Sequence, residues 1–210
     1  KLQFGLGNLN HGFKHISSIF MLMSLNYLPY FGINLFNLTN FIFLIFLIYF
    51  VIYEIYINKY LNHNISRIFL SLILILFLTK FSRLAEYGSD ISGLIIITIY
   101  LFLIFEIIFN KKLKYEILKL YLQLSVILIV FATTLKFILV IYSIFFIIIL
   151  FKRKKIFFSQ ILNLNSLLLS ISAIVIFIFL NFTSTGCLID PVERTCLSSY
   201  FTWAFNAELI

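Results

Sequence analysis

Ile91-Ser-Gly-Leu-Ile-Ile-Ile-Thr-Ile-Tyr-Leu-Phe-Leu-Ile-Phe-Glu-Ile-Ile-Phe109 holds a single charged side chain, Glu106, in a run built mainly of Ile, Leu and Phe. A straight helix needs about 20 apolar residues to cross a bilayer and rarely manages with fewer than about 17. The run therefore predicts a membrane-spanning helix over 91–109. The whole chain of 210 residues shares this character: 62% of it is hydrophobic, 19% aromatic and only 11% charged. These proportions exclude an ordinary soluble domain. The expected fold is all-α, a polytopic transmembrane helix bundle.

Outward from that run, further apolar segments lie at 35–57, 66–80, 117–133, 137–151 and 158–180, giving about six spans. The segments at 66–80 and 137–151 are short for a straight crossing. Ahead of them Phe13, Ile16, Phe20, Met23 and Tyr27 recur at steps of three and four, with Lys14 and Ser18 on the far side. That spacing predicts an N-terminal amphipathic helix lying at the interface and ending near Pro29. The organisation expected is an outer loop and interfacial helix over 1–34, a bundle over 35–180 and an outer segment over 181–210. With no initiator Met and no signal pattern at Lys1, the sequence reads as a piece of a longer protein.

Charge sets the expected orientation. If the segments alternate, one side receives Lys59, Arg67, Lys111, Lys112, Lys114, Lys119 and the block Lys152-Arg153-Lys154-Lys155, ten of the sixteen basic residues. The positive-inside rule places that side in the cytoplasm. A single long helix over 117–151 would send the Lys152 block to the opposite face from Lys111, so a hairpin turning near Ala132-Thr133-Thr134 is expected instead. The formal charge of +8 is then a topogenic anchor, and nucleic acid is not an expected partner.

The outer face collects the groups able to do chemistry. Lys80, Arg83, Glu86 and Asp90 stand in one polar stretch between apolar runs, with His11, Lys14, Lys136, Asp190, Glu193 and Arg194 on the same side. Asp90 opens the helix over 91–109, where a carboxylate serves as a cap or, aimed into an outer cavity, as a base. Arg83 suits an anion such as a lipid phosphate, while Lys80 reads equally well as a snorkelling flank. His11 and His15 are four apart, but no third ligand accompanies them, and no metal or other cofactor is expected. Gly5-Leu6-Gly7 lacks the preceding strand of a nucleotide loop. Glu54 and Glu106 lie within about a turn of the cytoplasmic end, near Lys59 and Lys111, and read as snorkelling or ion-paired acids. Cys187 and Cys196 flank Asp190-Pro191 in the outer tail and are expected to form a disulfide in an oxidising compartment.

Gly5-Leu-Gly-Asn-Leu-Asn10 followed by Phe13 and Ser17-Ser18, then Ser89-Asp90-Ile91, and Ser184-Thr-Gly-Cys-Leu-Ile-Asp-Pro191 after the last span resemble a group of bacterial multi-spanning membrane proteins. These proteins look like GT-C-type glycosyltransferases, which take a sugar from a polyprenyl-phosphate donor at the outer membrane face. The resemblance implies a membrane-lipid partner, a polyprenyl-phosphate-linked sugar and a bacterial inner-membrane location. It also implies that the principal catalytic acid belongs to an outer loop ahead of Lys1. On this reading Asp90 and Glu86 supply carboxylates, and Arg83, Lys14 and His11 hold the donor phosphate. Two alternatives are a polymerase or ligase of lipid-linked surface polysaccharide and a non-catalytic membrane subunit of an energy-transducing complex.

Overall fold

The computed structural model describes residues 37–57, 64–79, 90–110, 113–152, 164–188 and 195–197. The interfacial helix expected over 13–27 lies outside them. Six helices account for nearly all of the described chain. They are α1 (Asn37–Ile52, prolonged by a π-helical turn Tyr53–Ile57), α2 (Asn64–Thr79), α3 (Asp90–Phe109), α4 (Tyr115–Leu135), α5 (Phe137–Lys152) and α6 (Leu164–Thr185). The chain is a multi-pass membrane protein with an all-α bundle.

Among the described residues four helices, α1, α3, α4 and α6, are long and apolar enough to cross a membrane, and α2 and α5 are shorter. The shortfall of α5 is partly made up by its backbone. Phe137–Ile144 is a 3₁₀ helix, which rises about 2.0 Å per residue against about 1.5 Å in an α-helix, so α5 reaches about 28 Å of a hydrocarbon core about 30 Å thick. The described part of α2 extends only about 24 Å.

Contacts fix the directions of α1 to α5. The rings of Phe50 on α1 and Phe102 on α3 meet edge to face at 5.6 Å, and Phe69 on α2 stacks on Phe105 of α3 at 6.2 Å. Between α1 and α4, Phe43 faces Phe131 near one end and Glu54 faces Tyr121 near the other, so these two helices are antiparallel. The decisive register is that of α5 against α3. Leu139 lies against Gly93, Tyr142 and Phe146 against Tyr100, and Lys152 over the ring of Phe109. Helices α3 and α5 therefore run in the same direction, and α4 and α5 form a hairpin. That arrangement brings Lys152 to the end of the bundle where α3 finishes and α4 starts.

The hairpin turns at Lys136, slightly later than the expected Ala132–Thr134. Thr133 and Thr134 stay helical because their hydroxyls donate back to Val130 O and Phe131 O, the hydrogen bonding that lets such residues persist inside an apolar helix. The chain changes direction at Lys136, whose φ of −149° and ψ of 111° are extended. Its N–H closes α4 on Ala132 O, and its carbonyl accepts from Leu139 to start α5.

Helix α3 is the centre of the bundle, packed by α1, α2, α4 and α5. Its apolar residues surround the axis without a polar face, as suits a helix with neighbours on every side. Tyr100, Phe102, Leu103 and Ile107 are wholly buried. The Tyr100 hydroxyl donates to Tyr142 O at 2.9 Å, satisfying both groups where no water competes. Helix α6 packs on α4.

Gly93 sets the approach of α3 to α5, since a Cβ there would lie 3.1 Å from Leu139 Cδ1. Gly93→Ala is expected to be nearly neutral: a helical preference of about 1 kcal/mol offsets a small shift of the Leu139 tip. Gly93→Leu overpacks the contact and is expected to cost about 1–3 kcal/mol. Thermal unfolding of the detergent-solubilised variants checks the pair, and equal stability of both would remove Gly93 from that role.

Candidate functional site

Three levels succeed one another along the bundle axis. At the end where α3 begins with Asp90, three helices bury small polar side chains: Thr39 and Asn40 on α1, Ser92 on α3 and Thr134 on α4; α6 buries Asn181 and Thr183 near its own C-terminal end. Burying so many polar groups beside hydrocarbon requires hydrogen bonding among them or their neighbours.

Below it the middle of the bundle holds an apolar cleft of about 560 Å³ between α1, α3 and α4. Its floor is the buried face of α3, with Ile95, Ile96 and Leu103. Its rim carries Phe46, Tyr49 and Tyr53 of α1 and Leu124 of α4, all exposed on the membrane-facing surface.

The third level lies at the Lys152 end and is acidic. Glu106 is only 2% exposed; its Oε1 accepts from the Ser66 hydroxyl of α2, and its Oε2 accepts from Asn110 Nδ2 at 2.9 Å. Glu54, also 2% exposed, accepts from the Tyr121 hydroxyl at 2.9 Å to each oxygen. Because α1 and α3 are parallel with Phe50 opposite Phe102, four further residues on each helix bring both acids to one depth. The snorkelling expected of them is therefore corrected. Each is enclosed by the bundle and held by hydroxyl or amide donors, since a carboxylate facing the core finds donors on the adjoining helix more readily than it reaches solvent. Lys59 and Lys111 lie outside the described residues.

A family model matches residues 3–210, nearly the whole chain. The chain belongs to the domain of unknown function family DUF8201. No curated protein and no solved structure matches it.

In this DUF8201 chain the sequence-expected site residues are distributed as follows. Asp90 is the first residue of α3, two residues before the buried Ser92. Arg83, Glu86, Lys80, Lys14 and His11 lie outside the described residues. Cys187 and Cys196 are joined by a disulfide, directly after α6. The loop closes as Leu188 N–H donates to Thr195 O and Leu197 N–H to Gly186 O. Gly186, at φ 76°, takes the left-handed turn that ends α6, a conformation that glycine adopts at no steric cost. Among the described residues no group of three or more His, Cys, Asp or Glu is arranged to hold a metal.

Sequence reasoning missed the donors to the two acids. Asn110 sits one helical turn after Glu106, a legible pairing. Tyr121 and Ser66 were detectable only by matching depths across hairpins, since each stands about as far from its loop as the acid it meets.

Proposed function

We propose that the chain is part or all of a GT-C-like glycosyltransferase of a bacterial inner membrane, moving a sugar from a polyprenyl-phosphate donor at the outer face. The observation that carries this reading is the buried polar level at the Asp90 end, placed above an apolar interior. A lipid-linked sugar has the same division, polar at the head and hydrocarbon below. The disulfide after α6 supports an outer, oxidising setting for the C-terminal end of that helix, and Lys152 at the end of the bundle opposite Asp90 agrees with the positive-inside rule.

In the proposed reaction an acceptor hydroxyl oxygen attacks the anomeric carbon. The bond from that carbon to the phosphate oxygen breaks, and polyprenyl phosphate leaves with the bonding pair. Asp90, aided by Glu86, takes the proton of the hydroxyl. Arg83, Lys14 and His11 balance the charge on the departing phosphate.

The test is transfer of a radiolabelled sugar from a polyprenyl-phosphate donor by proteoliposomes carrying the protein. Transfer should occur and should fall in Asp90→Asn and in Arg83→Ala. Wild-type rates in both variants would remove these residues from the site, and absence of transfer by the full protein would remove the reaction.

A further inference from the structure

We infer that the strip of α3 left between α2 and α5 seats an anionic phospholipid, with its phosphate on the Lys152 ammonium and an acyl chain along the rings of Phe109 and Phe105. The inference is independent of the reaction proposed above, which concerns the opposite end of the bundle.

Helix α3 has four neighbours, yet Leu94, Thr98, Leu101, Phe105 and Phe109 recur at steps of three and four and keep part of their surface exposed. With about 3.6 residues per turn, Tyr100, which meets α5, and Glu106, which meets α2, each stand roughly a third of a turn from this strip, on opposite sides of it. The strip is therefore a shallow furrow between the two helices, open to the bilayer. Its surface is apolar, because the Thr98 hydroxyl donates back to Leu94 O at 2.6 Å. The half nearer Lys152 is aromatic: Phe69 of α2 stacks on Phe105 at 6.2 Å, and the Phe105 ring lies 4.7 Å from that of Phe109.

Charge decides the occupant, since hydrocarbon alone does not select one lipid from another. The Lys152 ammonium stands 5.2 Å from the centre of the Phe109 ring, at the residue where the apolar span Ile91–Phe109 ends. Lys152 is exposed, and among the described residues no carboxylate pairs with it. Glu106, about one turn earlier on α3, is buried and engaged by Ser66 and Asn110. A cation held against an aromatic ring at the edge of the hydrocarbon attracts a phosphate headgroup with net negative charge. A zwitterionic headgroup brings a second positive charge towards the ammonium and gains less. Lys152 is also the first of four consecutive basic residues in the sequence. The acyl chain has a matching path: half of a hydrocarbon core about 30 Å thick equals about ten residues of α-helix, which from Phe109 takes in Phe105 and Leu101.

The experiment uses the full protein in nanodiscs with two photoreactive lipids that carry the same diazirine acyl chain, a phosphatidylglycerol and a phosphatidylcholine. Peptides of α3 that include Phe105 and Phe109 are expected to be labelled about fivefold more by the phosphatidylglycerol, the effect of one basic residue at a membrane surface. Unlabelled phosphatidylglycerol should compete, and soluble glycerol phosphate should not. Lys152→Gln, at an exposed position that tolerates substitution, should lower phosphatidylglycerol labelling to the phosphatidylcholine level, and Lys152→Arg should retain it. Arg67→Gln should also retain it, because Arg67 lies roughly half a turn round α2 from Phe69, on the side away from the furrow. Equal labelling by the two lipids, labelling unchanged in Lys152→Gln, or an equal fall in Arg67→Gln overturns the assignment. Competition by glycerol phosphate overturns a membrane lipid as the occupant.

Discussion

Asp90→Asn is expected to slow sugar transfer by about 10²- to 10⁴-fold, the usual contribution of a general base, with little change in KM for the donor. The amide keeps the shape and most of the hydrogen bonding of the carboxylate but cannot accept the acceptor's proton. A loss confined to kcat is the pattern of an interaction made in the transition state. The choice of Asn matters because Asp90 also starts α3. Asn and Asp favour a helix start about equally, so a purely structural Asp90 tolerates the change in both stability and rate. Asp90→Ala lacks that control, since loss of a cap alone costs about 1 kcal/mol. The measurement is steady-state transfer beside thermal unfolding of each variant. A stable Asp90→Asn protein with wild-type kcat would assign Asp90 to the helix start alone.

The fold was legible in the sequence to different depths for different reasons. Hydrophobic runs such as Ile91–Phe109 identify spans because a bilayer tolerates almost nothing else of that length. The α4–α5 hairpin followed from charge, since a continuous helix would have separated Lys152 from Lys111. The turn itself was misplaced by a few residues because the pair Thr133-Thr134 resembles a break in an apolar run, whereas both hydroxyls are satisfied within the helix. The centrality of α3 was hidden. A helix that is apolar on every side fits lipid exposure and burial equally well, and only packing distinguishes them. The cleft was hidden for a related reason: Phe46 and Ile99 are ordinary membrane residues whose arrangement across three helices leaves no local pattern. At the Asp90 end the residue types were readable, but the burial of Asn40, Ser92 and Thr134 required the bundle.

Glu106→Ala is expected to destabilise the bundle by about 2–4 kcal/mol, more than any conservative change at the same acid. Two consequences combine. The substitution empties a buried volume at the α2–α3 contact, and it leaves the Ser66 hydroxyl and one N–H of Asn110 without the acceptor they use. Glu106→Gln retains the volume, accepts from Asn110 through its carbonyl and offers its NH₂ to the Ser66 oxygen, so it should cost less than about 1.5 kcal/mol. Ser66→Ala should fall between them at about 1–3 kcal/mol, because it removes the donor to a buried carboxylate oxygen while changing little volume. The same bond predicts coupling. Ser66→Ala introduced into Glu106→Gln should cost less than in the wild type, by about 0.5–3 kcal/mol, as contacting pairs generally show. Helix α2 is the least extended of the described helices and has most of its surface exposed, so this hydrogen bond is one of the contacts that hold it to α3. Protease cleavage within α2 should therefore rise in Glu106→Ala before the rest of the bundle unfolds. Additive costs in the double variant, or equal stability of Glu106→Ala and Glu106→Gln, would show that Glu106 is a spectator at the α2–α3 contact.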